Sequence, residues 1–232
     1  MSKSIVVVGF GPGISTAVAE RFGAEGFAVA LVARSRERID AGVQALKAKG
    51  VIAAAFTADA GDPASIRAAI GMARAKFGPV TAIHWNAYSG AEAGDLLTAD
   101  PAVVGAVFNV AIVGLLAAVQ EALPDLKSAG DGAVLVTNGA FGEIGPMVDA
   151  FANNLKVGGV GLANAAKHKL VGLLSQRLKE DGVYVGEVMV AGAVKGTAFA
   201  GDGGGIESAA IADKFWNLYQ ARDEIRDRIA PS

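Results

Sequence analysis

Apolar and polar positions along the chain follow two alternating patterns. Short, almost wholly apolar runs occupy residues 5–8, 27–33, 51–57, 80–85, 132–138 and 183–190. Longer segments of helical character lie at residues 15–26, 35–50, 62–78, 161–179 and 207–229. Short apolar strands that alternate with helices predict a parallel sheet with helices on both faces, the doubly wound Rossmann-type α/β fold. No linker interrupts the alternation, so we expect a single domain over residues 1–232.

The segment 103–119 stands apart because it is apolar except for Asn109. Its length approaches that of a membrane span, although Lys and Arg do not flank it. A helix that is apolar all round either crosses a membrane or is deeply buried. The globular pattern on both sides favours burial without a membrane, in part by a second subunit. Together with the Gly- and Ala-rich segment 161–174, it predicts a homodimer or homotetramer.

A glycine-rich turn follows the first predicted strand and reads Gly9-Phe10-Gly11-Pro12-Gly13-Ile14-Ser15. Ligands of parallel α/β sheets bind at the carboxyl ends of the strands, where this turn lies. Glycines there let backbone amides approach a pyrophosphate at the start of the next helix. The spacing differs from G-x-G-x-x-G, and a tight turn without a ligand is the alternative interpretation. The position nonetheless favours a dinucleotide site.

Arg34 follows the second predicted strand and bears on the choice of dinucleotide. A carboxylate at this place hydrogen-bonds the ribose 2′-OH of NAD, whereas an arginine suits a 2′-phosphate. One charge-assisted bond there would contribute about 1.5–3 kcal/mol. Alternatively, Arg34 only begins the solvated charged run 34–38. We expect binding of NADP(H) in preference to NAD(H), with NAD(H) as the second option.

These motifs resemble the short-chain dehydrogenase/reductase family over essentially all 232 residues. The family's T-G-x-x-x-G-I-G pattern falls on residues 8–15, and its N-N-A-G motif falls on residues 85–88. The resemblance implies an oxidoreductase in which Asp59 contacts the adenine and Asn109 organises a proton-relay water. The cofactor-binding residues that it implies are Gly9, Gly11, Pro12, Gly13, Ile14, Arg34, Asp59, Ala60, Asn86, Ala87 and Gly192.

The catalytic half of the family pattern is missing. The family reduces carbonyls with a Ser–Tyr–Lys set in which Tyr and Lys are spaced Y-x-x-x-K. This chain has three tyrosines, and none has a lysine four residues later. The candidate catalytic residues are therefore Asn109 and Tyr88, the latter as an alternative proton donor because it follows the fourth strand on the cofactor side.

Two alignments place the missing pair. Counting back from the sixth strand puts Val160 at the tyrosine position and Asn164 at the lysine position, and we prefer it because a helix continues from Asn164. Counting forward from the fifth strand puts Phe151 and Leu155 there instead. The serine position falls on Asn138 or Gly139. None of these residues carries a hydroxyl.

Composition removes several other classes of function. The absence of cysteine excludes disulfides and thiolate nucleophiles, and two histidines without ligand spacing argue against a metal site. A net charge of −2 argues against nucleic-acid binding. The apolar run 5–8 is too short for a signal peptide, so we expect a cytoplasmic protein.

The remaining polar residues are interpreted structurally. His84 lies on a buried strand and is expected to be a core histidine, whereas Lys167, His168 and Lys169 are expected on a solvated helix face. The charged run 222–228 is expected to be a solvated helix end. Three functions stay open. The first is an NADP(H)-dependent oxidoreductase with a divergent site acting on an unidentified small molecule, the second is a nucleotide-binding homologue without turnover that acts as a sensor or partner subunit, and the third is a non-redox enzyme that uses the same cleft.

Overall fold

The computed structural model describes residues 3–89, 93–197, 200 and 204–231. Its strands are β1 (Ser4–Val8), β2 (Ala28–Ala33), β3 (Ala53–Thr57), β4 (Ala82–Trp85), β5 (Ala133–Gly139), β6 (Tyr184–Val190) and β7 (Arg226–Ile229). Its α-helices are α1 (Ile14–Ala24), α2 (Arg36–Ala48), α3 (Pro63–Phe77), α4 (Pro101–Phe108), α5 (Gly114–Ser128), α6 (Pro146–Asn154), α7 (Gly158–Leu178) and α8 (Ser208–Ala221). A π-helical turn, Asn109–Val113, joins α4 to α5, and a 3-10 turn, Ala140–Gly142, follows β5.

The strands form one parallel sheet in the order β3-β2-β1-β4-β5-β6-β7. The strand order reverses between β1 and β4, which is where open α/β sheets bind ligands. All carboxyl ends share one edge, since Val8 pairs with Trp85 and Gly139 pairs with Val190. The predicted doubly wound fold is confirmed.

Two apolar layers cover the sheet. Buried residues of α1, α2 and α8, such as Phe22, Ile39 and Phe215, pack on one face. Residues of α3, α5 and α7, such as Leu115 and Val171, pack on the other. Strand residues point alternately to the two faces, so strands buried on both sides must be apolar throughout, as the sequence pattern indicates.

The apolar segment 103–119 forms the end of α4, the π-helical turn and the start of α5. By length and composition alone, Pro101–Ser128 would suffice to cross a bilayer, and 39% of its most apolar stretch is buried. Leu115 and Ala118 pack against the sheet with no exposed surface, whereas Val113 on another side is 40% exposed. Burial within one chain is therefore confirmed for the sheet-facing side only.

The predicted C-terminal helix is too long. The helix α8 ends at Ala221, Arg222 adopts a left-handed conformation with φ of 55°, and β7 then joins the sheet beside β6. The interpretation of residues 222–228 as a solvated helix end is therefore wrong. Asp227 accepts hydrogen bonds from Lys214 at 2.8 and 2.9 Å, and Arg228 bonds Glu143 at 3.0 Å. These long-range pairs let a charged segment form the edge of the sheet.

Candidate functional site

The glycine-rich turn lies where β1 meets α1, against the end of β4. Gly9 has a φ of 82°, and a Cβ placed on it would lie 2.5 Å from the Cα of Ala87. The Gly9 and Phe10 amides donate to the carbonyl of Val32, and Asn86 donates its amide to the carbonyl of Val8. A side chain at residue 9 would therefore push the turn away from both neighbouring strands.

The start of α1 leaves a cradle of backbone amides. Its N-cap residue, Gly13, has a φ of 91° and no side-chain cap, and a Cβ there would meet the methyl group of Thr197 at 2.8 Å. The hydroxyls of Ser15 and Thr16 both donate to the carbonyl of Gly11 at 2.9 and 2.8 Å. Pro12 is exposed and Ile14 is half-buried. A helix N-terminus without a side-chain cap favours an anion through its free N–H groups and its dipole.

Two arginines that have no partner among the described residues flank this turn. Arg34 is exposed directly after β2, and Arg38 lies in the first turn of α2. The Nη1 of Arg38 lies 3.9 Å from the position of a Cβ on Gly11. Within the described ranges, neither guanidinium takes part in a hydrogen bond or ion pair, whereas Arg36 between them binds Asp40 at 2.7 Å. The sequence pattern does not distinguish Arg38 from Arg36; only the orientation of the side chains does.

The other residues implied for the cofactor line the same edge. The exposed Asp59 accepts a hydrogen bond from the amide of Gly61 through one carboxylate oxygen at 2.9 Å. The carbonyl of Ala60 packs against Gly114, and a Cβ on Gly114 would collide with that carbonyl oxygen. Asn86 is half-buried and donates to the carbonyl of Gly9 at 3.4 Å. Gly192 is exposed after β6, where Pro231 would meet a Cβ at 2.9 Å. The strand ends thus bring the predicted set together.

The two candidate catalytic residues, Asn109 and Tyr88, are both exposed. Asn109 is exposed, and its Cβ lies 3.8 Å from the position of a Cβ on Gly61, on the Asp59 side of the site. Ala111, two residues later in the π-helical turn, is buried with Ala163 of α7 instead. Tyr88 is 57% exposed after β4, and partial burial raises the pKa of its phenol above the usual 10.0. A raised pKa makes Tyr88 a weaker acid unless a cation lies close to it.

The end of β5 contacts α7 in place of a catalytic hydroxyl. Asn138 is buried and donates from Nδ2 to the carbonyl of Asn164 at 3.0 Å. A Cβ on Gly139 would lie 2.6 Å from the Nδ2 of Asn164. In the other alignment, Phe151 and Leu155 are about half exposed, on and just after α6. The structure therefore places Asn164, and not Leu155, against β5, and Asn164 occupies the room that a serine at residue 139 needs.

A buried carboxylate connects these elements. Glu187 on β6 has no exposed surface, and its Oε1 accepts from the Nδ2 of Asn138 at 2.6 Å. Its Oε2 lies 2.7 Å from Nδ1 of His168 and 3.3 Å from Nε of Arg226. A buried carboxylate is tolerated only with such partners. In the sequence, Glu187 is the one charged residue within the apolar run 183–190, and this was the signal that could have indicated the cluster.

Lys167 is the largest departure from the sequence-based interpretation. It is only 3% exposed, so the prediction that it lies on a solvated helix face is wrong, whereas Lys169 two residues later is exposed as predicted. Burial lowers the pKa of the Lys167 amine from 10.5 to about 8, and the negative charge of Glu187 opposes that fall. The sequence did contain a signal for this burial, because Lys167 lies four residues after Ala163 and four before Val171, on the same side of the helix as these apolar residues.

His84 is the core histidine that the sequence predicts. It is fully buried, its Nε2 lies 2.9 Å from the hydroxyl of Thr137, and its ring packs edge-on against Phe215 with centroids 4.7 Å apart. Burial lowers the pKa of the imidazole to about 3, so it stays neutral at physiological pH. Its place beneath α8 separates it from the cluster around Glu187, which faces α7.

Comparisons with known proteins agree with this architecture. A family model described as short chain dehydrogenase matches residues 3–201. The 3-oxoacyl-acyl-carrier-protein reductase FabG of Staphylococcus aureus is 29% identical over 172 residues, which cover 73% of this chain and 69% of the relative.

Solved structures match almost the whole chain. A metagenomic short-chain oxidoreductase in complex with NADP has a TM-score of 0.80 at 23% identity, covering 98% of this chain and 96% of the other. The L-sorbose reductase of Gluconobacter frateurii, complexed with NADPH and L-sorbose, has a TM-score of 0.84 at 18% identity, covering 99% and 95%. At these identities the two likenesses establish the fold. With the match to residues 3–201, they show that the chain belongs to the short-chain dehydrogenase family.

Proposed function

We propose that this protein is an NADP(H)-dependent oxidoreductase of small carbonyl compounds or alcohols whose active site has diverged from the family's. The observation that carries the proposal is a pair of guanidinium groups beside the glycine turn, Arg34 and Arg38, to which no group in the described part of the chain is paired. Two exposed cations, one directly after β2 and one in the first turn of α2, suit the dianionic 2′-phosphate that distinguishes NADP(H) from NAD(H).

The residues present fit such a cofactor. The uncapped start of α1 and the turn at Gly9 and Gly13 would hold the pyrophosphate, and Asp59 has a carboxylate oxygen available for the adenine. When bound, a nicotinamide supplies the hydride chemistry, so the chain has to supply orientation and a proton. Two structural neighbours were solved with NADP and with NADPH, which supports the choice of cofactor.

A nucleotide-binding protein without turnover is the second candidate. One observation favours it: Asn164 fills the space beside Gly139, and neither residue offers a hydroxyl. Loss of a general acid typically costs 10²–10⁴-fold in rate.

The cofactor assignment is tested by titrating NADPH and NADH into the protein and following nicotinamide fluorescence. Arg34→Ala and Arg38→Ala are each expected to weaken NADPH binding about 10- to 100-fold, because each removes about 1.5–3 kcal/mol of charge-assisted bonding. Binding of NADH should change less than about threefold. Arg36→Ala is the matched control, since it removes an exposed arginine that is already paired with Asp40.

Equal affinity of the unaltered protein for NADH and NADPH would contradict the preference. Unchanged NADPH binding in both Arg34→Ala and Arg38→Ala would contradict the assigned site. Tight NADPH binding without oxidation of NADPH by an activated diketone such as 2,3-butanedione would favour the second candidate.

A further inference from the structure

An exposed apolar stripe runs along α6. Met147, Phe151 and Leu155 follow one another at intervals of four residues, which places them on one side of the helix. Their exposed fractions are 85%, 57% and 51%. Ala152, on another side of α6, is buried, so the helix has apolar residues both toward the protein and toward solvent. A contiguous exposed stripe of large apolar side chains indicates a binding surface, whereas single exposed ones do not.

The contacts of this stripe place it at the carboxyl edge of the sheet. Strand β5 ends at Gly139, and the ring of Phe141 in the turn that follows packs against that of Phe151, with centroids 5.9 Å apart. The same turn sits on α7, because a Cβ on Gly142 would lie 2.5 Å from the carbonyl carbon of Asn164. Ligands of parallel α/β sheets bind at this edge. The stripe therefore borders the side of the site where β5 ends.

The segment that follows β4 extends this apolar surface. Leu96 and Leu97 are both exposed. The segment is joined to the start of α7 by a hydrogen bond from the amide of Gly158 to the carbonyl of Gly94 at 2.9 Å. A Cβ on Gly158 would lie 2.7 Å from the Cγ of Leu96. Because Gly158 comes only three residues after Leu155, the side chain of Leu96 lies close to the end of the stripe.

The charges on these two segments do not suit an anionic substrate. Residues 93–100 and 140–157 contain four carboxylates and a single cation, Lys156. One of the carboxylates, Glu143, is paired with Arg228 at 3.0 Å. In the segment after β6, Lys195 is already paired with Glu207. A carboxylate or phosphate on the substrate would meet mostly like charges here, whereas an uncharged alkyl or aryl group would meet apolar side chains.

We propose that the substrate is an uncharged ketone or alcohol that carries an apolar alkyl or aryl group, and that Met147, Phe151 and Leu155 cover this group. The inference rests on the proposed function, because it names the substrate class of the same site. The contact between Phe151 and Phe141 next to β5 favours a substrate as the occupant of the stripe. A second copy of the chain is the other possible occupant, and the experiments distinguish the two.

The first test varies the length of the apolar group at constant carbonyl chemistry. From 2,3-butanedione to 2,3-octanedione, we expect kcat/KM with NADPH to rise about two- to fourfold per methylene group, because a fully buried methylene contributes about fourfold. In 2-oxoheptanoate, the pentyl group of 2,3-octanedione is kept and a carboxylate replaces the acetyl group. It should be reduced about tenfold less efficiently than 2,3-octanedione. A kcat/KM that is independent of chain length, or a preference for the oxo acid, would overturn the inference.

The second test substitutes the stripe. In Phe151→Gln and Met147→Gln, the loss of kcat/KM should grow with chain length, so that the preference for 2,3-octanedione over 2,3-butanedione falls about tenfold. A merely structural role would lower kcat/KM for both diketones alike. Ile52→Gln is the matched control, because this exposed isoleucine directly precedes β3, at the amino end of that strand. It should leave the preference unchanged.

The outcomes separate the inference from the proposed function. Equal losses for all chain lengths reject the stripe as the substrate surface and leave the oxidoreductase proposal standing. Dissociation of an oligomer by either variant, seen by light scattering, assigns the stripe to a second copy and also overturns the inference. Absence of NADPH binding, or of reduction of any diketone by the unaltered protein, rejects the oxidoreductase and the substrate class together. Thermal melts identify a variant that fails to fold, and the more exposed Met147→Gln then provides the comparison.

Discussion

Replacing Lys167 by methionine is expected to change how stability depends on pH. The amine titrates at about 8 in the folded protein and at its ordinary 10.5 in the unfolded chain. Below pH 8 both states hold the proton, and the folded state carries the full cost of a buried charge. Between pH 8 and 10.5 the unfolded chain binds more protons than the folded protein, so stability must rise with pH. Methionine fills a similar volume and does not titrate.

The size of the effect follows from the two pKa values. A tenfold change in a proton-binding constant corresponds to about 1.4 kcal/mol, so a fall from 10.5 to about 8 amounts to about 3 kcal/mol. The near-complete burial of the side chain means that solvent screening does not reduce this figure much. The free energy of unfolding of Lys167→Met, relative to that of the unaltered protein, should therefore fall by about 3 kcal/mol between pH 7.5 and pH 10.5.

Urea unfolding at several pH values and one fixed protein concentration measures this difference. Other groups titrate equally in both proteins and cancel. Lys169→Met removes an exposed amine from the same helix and should give a difference that is flat with pH. A similarly flat difference for Lys167→Met, within about 0.5 kcal/mol, would refute the claim that the buried amine is destabilised in its charged form.

Three further changes probe the turn, the end of β5 and the association of subunits. Gly9→Ala should abolish NADPH binding in a titration and lower the free energy of unfolding in urea more than Gly26→Ala does. Both glycines have positive φ, but only a Cβ on Gly9 would meet backbone atoms of Ala87. Equal effects of the two substitutions would contradict this clash. Gly139→Ser should lower the free energy of unfolding in urea by about 1–3 kcal/mol, because the new side chain meets Asn164. In a protein that already carries Asn164→Ala, the same substitution should have no such effect, and an undiminished effect there would contradict the contact. Light scattering should give the mass of a homodimer or homotetramer. Leu173→Glu should weaken this association, because Leu173 on α7 is 57% exposed in the single chain and would place a charge in the apolar contact between subunits. A mass near 23.3 kDa for the unaltered protein would reject the prediction.

Much of the fold is determined locally and can therefore be predicted from the sequence. Strands buried on both faces need continuous apolar runs, and helices between them need a 3.6-residue period, so both patterns appear in the sequence itself. The turn at Gly9 and Gly13 is equally local, because only glycine adopts those positive φ values without strain. The position of Arg34 follows, since it comes directly after a strand.

The tertiary structure decided the residues whose environment depends on distant partners. In the sequence, the residues of β7 resemble a charged helix end. In the structure, Lys214 and Glu143 pair with side chains of β7 and balance their charges. Asn109 matches a family position by counting, and that match remains a prediction; that the chain forms a π-helical turn there, with the Asn109 Cβ near Gly61, is a feature of the tertiary structure.

Lys167 and Glu187 show the same limit at the candidate site. In the sequence, Lys167 stands beside His168 and Lys169 like any solvated run, and Glu187 interrupts an apolar strand without explanation. Only the packing of α7 on β5 and β6 removes water from both, and the free energy of a charge depends on its solvent and on partners far along the chain. Amino-acid order therefore determines the sheet and the turn that face the cofactor, whereas long-range packing decides which charged groups are deprived of water at the site.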